Sequence, residues 1–387
     1  MTLLRVVLAV FFAVFALSPV LEVLGVETGG SDKIERLLVQ SLDLIGQNRL
    51  REAEIEIRTL VAQQPDFRLA QAVLGDLYSA KAGSLTRFGA GIVNNDKEVA
   101  DLLAEAKARL AREHPPEQDY LPGELLRLPS RYHHALLVDL SRSRLYLFQN
   151  LESVPDKLAD FYITIGKEGG GKELQGDKKT PIGLYHITGR LGGKTLPPFY
   201  GAGALPLDYP NPWDQLNHRT GKGIWLHGTP MDTYSRPPRA SDGCIVLTNP
   251  DFKTLDRTMT VDDPVIVTEH IDWLSPDEWW HRRELLLQRI ELWRADLIRL
   301  QGEDILRHYS KDYKTGHLDD VFWNHLEEGG VELMDPAVLS YPGAEKMMVI
   351  LWGGKPVPGA AGRGFTITQF WRFENRSDWK IIFEPNG

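Results

Sequence analysis

A chain of 387 residues, 42% hydrophobic and 9% aromatic, is too long for one ordinary domain and carries enough apolar material for two or three packed cores. Its 53 acidic against 44 basic side chains leave a formal net charge of -9. DNA, RNA and anionic membrane faces each call for an excess of cations, so the composition argues against nucleic acid as a partner.

The chain opens on an export pattern. Arg5 supplies a positive charge ahead of Val6 to Leu21, a run without a charged residue that is long for the apolar part of a signal and short for a spanning helix. Pro19 and Glu22 interrupt it. Residues 1–25 therefore read as a signal peptide or anchor, with the body of the protein in the periplasm and membrane contact only through an uncleaved signal. Export gives meaning to the single cysteine, Cys244. One thiol forms no internal disulfide, and an exposed one is open to oxidation, so Cys244 has either a chemical task or the bland role of a small buried hydrophobe.

Residues 31–115 read as helical. Ile34, Leu37, Leu38, Leu42 and Ile45 recur at helical spacing, as do Ala53, Ile57, Leu60 and Val61 up to Pro65, then Leu69, Val73 and Leu77, then Val99, Leu102, Leu103, Ala106 and Leu110. The first pair with the following Pro and the Leu74 to Tyr78 run resembles a tetratricopeptide repeat, a unit used for packing or for binding a protein partner.

Residues 130–270 change to short strands separated by turns. Leu136 to Leu140 and Leu145 to Phe148 form a hairpin around Ser141-Arg142-Ser143. Further strands are expected at Phe161 to Ile165, Gly183 to Ile187, Gly223 to Leu226, Cys244 to Leu247 and Pro264 to Thr268. The Gly- and Pro-rich loops between them suit a mainly β domain with a cleft. Residues 275–387 return to helix at Ser275-Pro276-Asp277-Glu278, a capping-box start, and continue as an apolar stripe through Leu286, Ile290, Trp293 and Leu297. Strands follow at Met347 to Trp352, Phe365 to Phe373 and Trp379 to Phe383, an α+β pattern. The fold class is thus multidomain: a helical N-terminal domain, a mainly β domain that carries the chemistry, and an α+β C-terminal domain expected to fold on its own.

The chemistry concentrates in Gly223 to Pro230 and Ser241 to Leu247. One strand delivers His227 to its end, and after a loop a second begins at Cys244, so adjacent strands would bring imidazole and thiol together as a nucleophile needs. Gly243 lets the backbone approach closely, so the N–H groups of Gly243 and Cys244 are candidates for an oxyanion site. His-Gly followed after a loop by Ser-x-Gly-Cys-Ile resembles the active-site motif of the L,D-transpeptidase (YkuD-type) catalytic family. Gly176-Asp177, Thr180-Pro181-Ile182-Gly183 and the Val138 to Phe148 hairpin extend that resemblance over roughly residues 130–270.

The resemblance implies a mainly β catalytic fold and a Cys-His pair that cleaves the diaminopimelate to D-Ala bond of peptidoglycan tetrapeptide stems through a thioester, and that carbapenems acylate. It makes Cys244 the nucleophile, His227 the base and the Gly228 carbonyl the group that orients the imidazole. An amine acceptor then gives a 3-3 cross-link and water gives L,D-carboxypeptidase trimming to tripeptides. Asp242 departs from the His common at that place. Asp242 beside a thiolate would raise the thiol pKa, so it is expected to point away or to meet Arg239. Ser241 reads equally as a site residue or a turn hydroxyl. Arg236 and Arg239 are substrate-carboxylate candidates, with solvated loop charge the alternative. Tyr200, Tyr209, Trp213 and Tyr234 line the cleft or belong to cores. No metal or nucleotide cofactor is implied, because zinc and phosphate-loop patterns are absent.

The third domain, with a long helix expected over Trp280 to Tyr309, resembles the nuclear transport factor 2-like fold. The three-part layout is similar to L,D-carboxypeptidases of curved and helical bacteria. The rival reading of another class is an inactive murein-binding scaffold in which the outer domains do the work.

Overall fold

The computed structural model describes residues 31–85, 87–93, 95–111, 119–299, 305–315, 331–343, 347–356, 365–374 and 378–385; the expected signal or anchor, residues 1–25, lies outside them. Among the described residues no helix is long and apolar enough to cross a membrane.

The N-terminal unit consists of α1 (Ser31–Gly46), α2 (Leu50–Gln63), α3 (Arg68–Lys81) and α4 (Asp96–Leu110). The apolar stripes read from the sequence meet in one core of Leu38, Ala53, Ile57, Leu60, Leu69, Val73, Leu102 and Ala106. Asn95 caps α4 by accepting from the Glu98 N–H, and Lys107 and Arg109 stand in the last turn, where cations suit the helix dipole. One member of this core is foreign to the helices: Tyr234, from the loop between His227 and Cys244.

The mainly β unit packs two sheets. Five strands run in the order Val154–Tyr162, Arg144–Leu151, His134–Asp139, Pro264–Thr268, Gly183–His186, with only His134–Asp139 and Pro264–Thr268 parallel. Four run in the order Ile245–Val246, Trp225–His227, Gly203–Pro206, Leu191–Gly192. Side chains alternate across a strand, so Leu136 and Val138 enter the core between the two sheets, while Ala135 and Leu137 face the other way. That other face is not exposed. Leu137, Tyr146, Phe148, Leu184 and Ile266 pack against Leu339, Val349, Phe370 and Phe383 of the C-terminal sheet. The short α5 (Pro212–Leu216) joins them, Trp213 stacking on Phe370 at 5.2 Å. A further helix, α6 (Asn249–Thr258), follows the Ile245–Val246 strand.

The C-terminal unit sets α7 (Pro276–Arg299) across the opposite face of its own sheet, where Trp279, Ile290, Trp293 and Leu297 meet Met348, Ile350, Trp352, Trp371 and Ile381. The multidomain class, helical then mainly β then α+β, is the one read from the sequence.

Several boundaries differ from expectation. Leu125–Arg127, not foreseen as a strand, pairs with Ala337–Ser340 and extends the C-terminal sheet, and Leu121–Pro122 pairs with Trp273–Leu274. The C-terminal unit therefore draws a strand from ahead of the mainly β segment and shares an apolar face with it, so its sheet is not made from residues 275–387 alone. The long helix does not reach Tyr309, which opens the strand Tyr309–Thr315 after a turn in which His308 N–H donates to the Ile305 carbonyl. The strand expected from Gly223 begins instead at Trp225, because Gly223 sits at a φ of +75° that extended chain does not use.

Candidate active site

His227 and Cys244 come from the parallel pair at one edge of the four-stranded sheet. Its register sets Leu226 opposite Ile245 and His227 opposite Val246. Leu226 and Ile245 are both fully buried in the core between the sheets. By alternation the side chains flanking them, His227 and Cys244, leave by the opposite face, on neighbouring strands and on the same side.

The imidazole is held in one tautomer. His227 Nδ1 lies 2.7 Å from the Gly228 carbonyl oxygen, which only accepts, so Nδ1 carries the proton and Nε2 offers a lone pair. Among the described residues that buried Nε2 has no partner. Burial lowers the His227 pKa to about 4, against the opposing effect of the Gly228 bond and with help from the nearby Arg236 cation. The imidazole is neutral at physiological pH, and its Nε2 can take a proton.

Cys244 is half-buried just ahead of its strand, its sulfur 3.4 Å from the Gly223 carbonyl oxygen. Burial raises the thiol pKa; hydrogen bonding from the Trp225 backbone opposes this, Asp242 adds to it, and Arg236 and Lys172 pull it down. The resting pair is thus neutral thiol and neutral imidazole, an arrangement suited to proton transfer during attack.

The turn that presents the thiol is tied twice by one hydroxyl. Ser241 Oγ donates to the Cys244 carbonyl at 2.6 Å and accepts from the Gly243 N–H at 3.1 Å. The Ser241 hydroxyl thus serves the turn. Its bond also engages the Gly243 N–H, so of the expected oxyanion pair the N–H outside this turn bond is that of Cys244. Gly243 has a φ of +130°, and a Cβ there would meet the Lys179 carbonyl oxygen at 2.8 Å, so the position requires glycine.

Asp242 is exposed to solvent, and its partner is Lys167, at 2.9 Å, not Arg239. The Lys167 hydrogen bond holds its carboxyl below the usual range. The two arginines separate. Arg239 is exposed and lies near Gly169. Arg236 is half-buried, its guanidinium carbon 5.2 Å from the Phe199 ring centroid and its Nη2 donating to the Ala240 carbonyl. Arg236 Nη1 is buried without a partner among the described residues.

Of the four aromatics, Tyr200 lines the site, edge-on to His227 at 5.0 Å, and Phe199 lies 5.7 Å from the same ring. Tyr209 belongs to the core between the sheets, Trp213 to the C-terminal face and Tyr234 to the helical core. Two supports escaped the sequence reading. Asn249, first residue of α6, accepts from the Ala202 N–H and donates to the Thr229 carbonyl, both at 2.8 Å, pinning the chain just past His227. Lys172, 4% exposed at its side chain, pairs with Asp177 at 2.6 Å and adds positive charge near the thiol. The Asn-Pro pair after a strand was the available signal for the first.

Residues 133–267 match the family model of the L,D-transpeptidase catalytic domain (YkuD). No curated protein matches the chain significantly. Among solved structures the chain is similar to Bd1075 of Bdellovibrio bacteriovorus, at 25% identity and a TM-score of 0.57, over 69% of this chain and 97% of that one. It is also similar to the helical cell shape determining protein Pgp2 of Campylobacter jejuni, at 18% identity and a TM-score of 0.55, over 73% of this chain and 98% of that one. The second likeness is one of fold. Both extend well beyond the matched segment, so residues outside it share in the similarity. The Cys244 and His227 strands lie inside a segment, residues 133–267, that is an L,D-transpeptidase catalytic domain.

Proposed function

We propose that this protein is an exported, periplasmic enzyme that cleaves the diaminopimelate to D-Ala bond of tetrapeptide stems by cysteine acyl transfer. His227 Nε2 takes the Cys244 proton as the sulfur attacks the carbonyl carbon. The Cys244 N–H stabilises the oxyanion, and the proton passes to the leaving amine of D-Ala as the thioester forms. An acceptor then attacks the thioester and frees the thiol. The observation that carries this reading is the tautomer of His227, whose unpartnered Nε2 shares a face with Cys244 on the neighbouring strand.

Water is the acceptor we favour for at least part of the turnover. Arg236, with a free buried donor beside the thiol, suits a terminal carboxylate of the kind a monomeric stem presents. Likeness to a helical cell shape determining protein supports a role in shaping the wall. Incubation of the purified chain with disaccharide tetrapeptide, products resolved by mass, tests both points. Tripeptide that disappears in Cys244→Ala supports trimming; 3-3 dimers with little tripeptide support cross-linking alone; no product from the wild type overturns the enzyme reading and leaves a murein-binding scaffold.

A further inference from the structure

The loop from Gly228 to Ser241, which joins the two proposed catalytic residues, is anchored outside its own domain. Tyr234 is 5% exposed and sits in the core of the helical unit, its ring 4.6 Å from that of Phe67. Next to it, Ser235 Oγ donates to Glu105 Oε1 on α4 at 2.7 Å. Glu105 is itself fixed. Arg109 Nε and Nη2 donate to the same carboxylate at 3.0 and 2.9 Å, and Arg109 Nη1 donates to Glu35 of α1. The Arg109 guanidinium carbon lies 4.0 Å from the Tyr162 ring centroid, on the catalytic sheet.

One residue further on, the Arg236 carbonyl accepts from the Tyr162 hydroxyl at 2.9 Å and from Thr164 Oγ1 at 3.0 Å. Three consecutive residues thus bind the helical core, the helical ion cluster and the catalytic sheet. The side chain they deliver is that of Arg236, which lies against Phe199, the ring that in turn touches His227. Arg109 and Glu105 are about 1% and 2% exposed, so this anchor is a buried, charge-assisted arrangement and not a surface contact.

We propose that the helical unit is part of the active site: Glu105 acting through Ser235, and Phe67 acting through Tyr234, are positioning residues that set where the Arg236 guanidinium stands beside Cys244. This rests on the proposed cysteine chemistry only for its consequence in turnover. The charged groups that act on the thiol are the Arg236 and Lys172 cations and the Asp242 carboxylate, and the neutral rings at the site are those of His227 and Tyr200. Losing the placement of one cation among them disfavours the thiolate.

The test uses the full-length protein and its sole cysteine. Iodoacetamide alkylation of Cys244 is followed across pH in wild type, Ser235→Ala, Ser235→Thr, Phe67→Leu and Arg236→Gln, each checked for an unchanged melting curve. Removing the Ser235 hydroxyl should slow alkylation at neutral pH about fivefold, the scale of one lost hydrogen bond, and move the profile to higher pH. Ser235→Thr should restore it, Phe67→Leu should shift it in the same direction, and Arg236→Gln should give the largest shift. An unmoved profile in Ser235→Ala and Phe67→Leu overturns the inference, as does an unmoved profile in Arg236→Gln. Alkylation needs no stem peptide, so a wild type that shows the coupling but cleaves no tetrapeptide refutes the proposed function and leaves the coupling standing.

Discussion

Thr180 Oγ1 donates to the Gly243 carbonyl at 3.0 Å and accepts from the Gly166 N–H at 2.9 Å, so a wholly buried hydroxyl spans 63 residues of sequence to hold the turn that presents the thiol. Thr180→Val keeps the shape and strands both backbone groups. We expect a loss of about 1–3 kcal/mol in urea denaturation and slower carbapenem acylation. If both the midpoint and the rate stay at wild-type values, the turn does not depend on this hydroxyl.

Turnover should persist well into acid. His227 acts as a base only when neutral, and burial has lowered its pKa from the ordinary 6.5 to about 4, so the acid limb of kcat/KM should fall near pH 4. Half-maximal rate near pH 6.5 would contradict this. Stability follows the same group with a definite sign. Between pH 6.5 and 4 the unfolded chain takes up this proton and the native one does not. The native state therefore loses up to about 1.4 kcal/mol per pH unit across that window as pH falls, and none above it. His227→Gln should flatten that part of the stability profile in denaturant titrations at successive pH values.

Cys244→Ala should abolish turnover while leaving the melting temperature near wild type, since the side chain is half-buried and its loss empties little core volume. His227→Ala should retain the thiol yet slow acylation by about 100-fold or more, the usual contribution of a positioned base. Intact-mass measurement of the carbapenem adduct over time reads both. Retained turnover in the first variant removes Cys244 from the mechanism, and an unchanged rate in the second removes His227.

Asn249→Ala should loosen the chain beyond His227, because the Ala202 N–H and the Thr229 carbonyl lose the amide that joins them. We expect a cost of about 1–3 kcal/mol and a drop in acylation rate larger than the drop in thiol alkylation, since the base moves and the nucleophile does not. Equal effects on the two rates would show that Asn249 supports the fold alone.

The isolated segment 130–270 should be poorly soluble, because it lays bare Leu137, Tyr146, Phe148, Leu184 and Ile266, a contiguous apolar face. Extending it through the C-terminal unit and the Leu125–Arg127 strand should restore a monodisperse protein. Size-exclusion profiles of the two fragments decide the matter.

The proposed nucleophile and base stood out in the sequence because of their local chemistry. A lone thiol follows a glycine whose φ of +130° excludes other residues, and a histidine precedes a glycine whose carbonyl fixes its tautomer. Helices α1 to α4 were legible from periodicity alone. The Leu125–Arg127 strand was not, since three residues are too few to show a period of two. Nor was the difference between Arg236 and Arg239, three positions apart in one loop, because burial of a charge is settled by what the rest of the chain packs around it. The contact of Ser235 with Glu105 crosses 130 residues and has no local signature at all.

The five-stranded sheet has two apolar faces, and neighbouring residues of one strand, Leu136 and Leu137, belong to different cores. Change in the C-terminal unit is therefore answerable to the mainly β one: a bulkier residue at Phe370 crowds the core that it shares with Leu137 and Tyr146, whose neighbours on the same strands line the core between the two sheets. Transplanting the five-stranded sheet into another scaffold means rewriting the back of four of its strands, those that carry Leu137, Tyr146 and Phe148, Leu184 and Ile266.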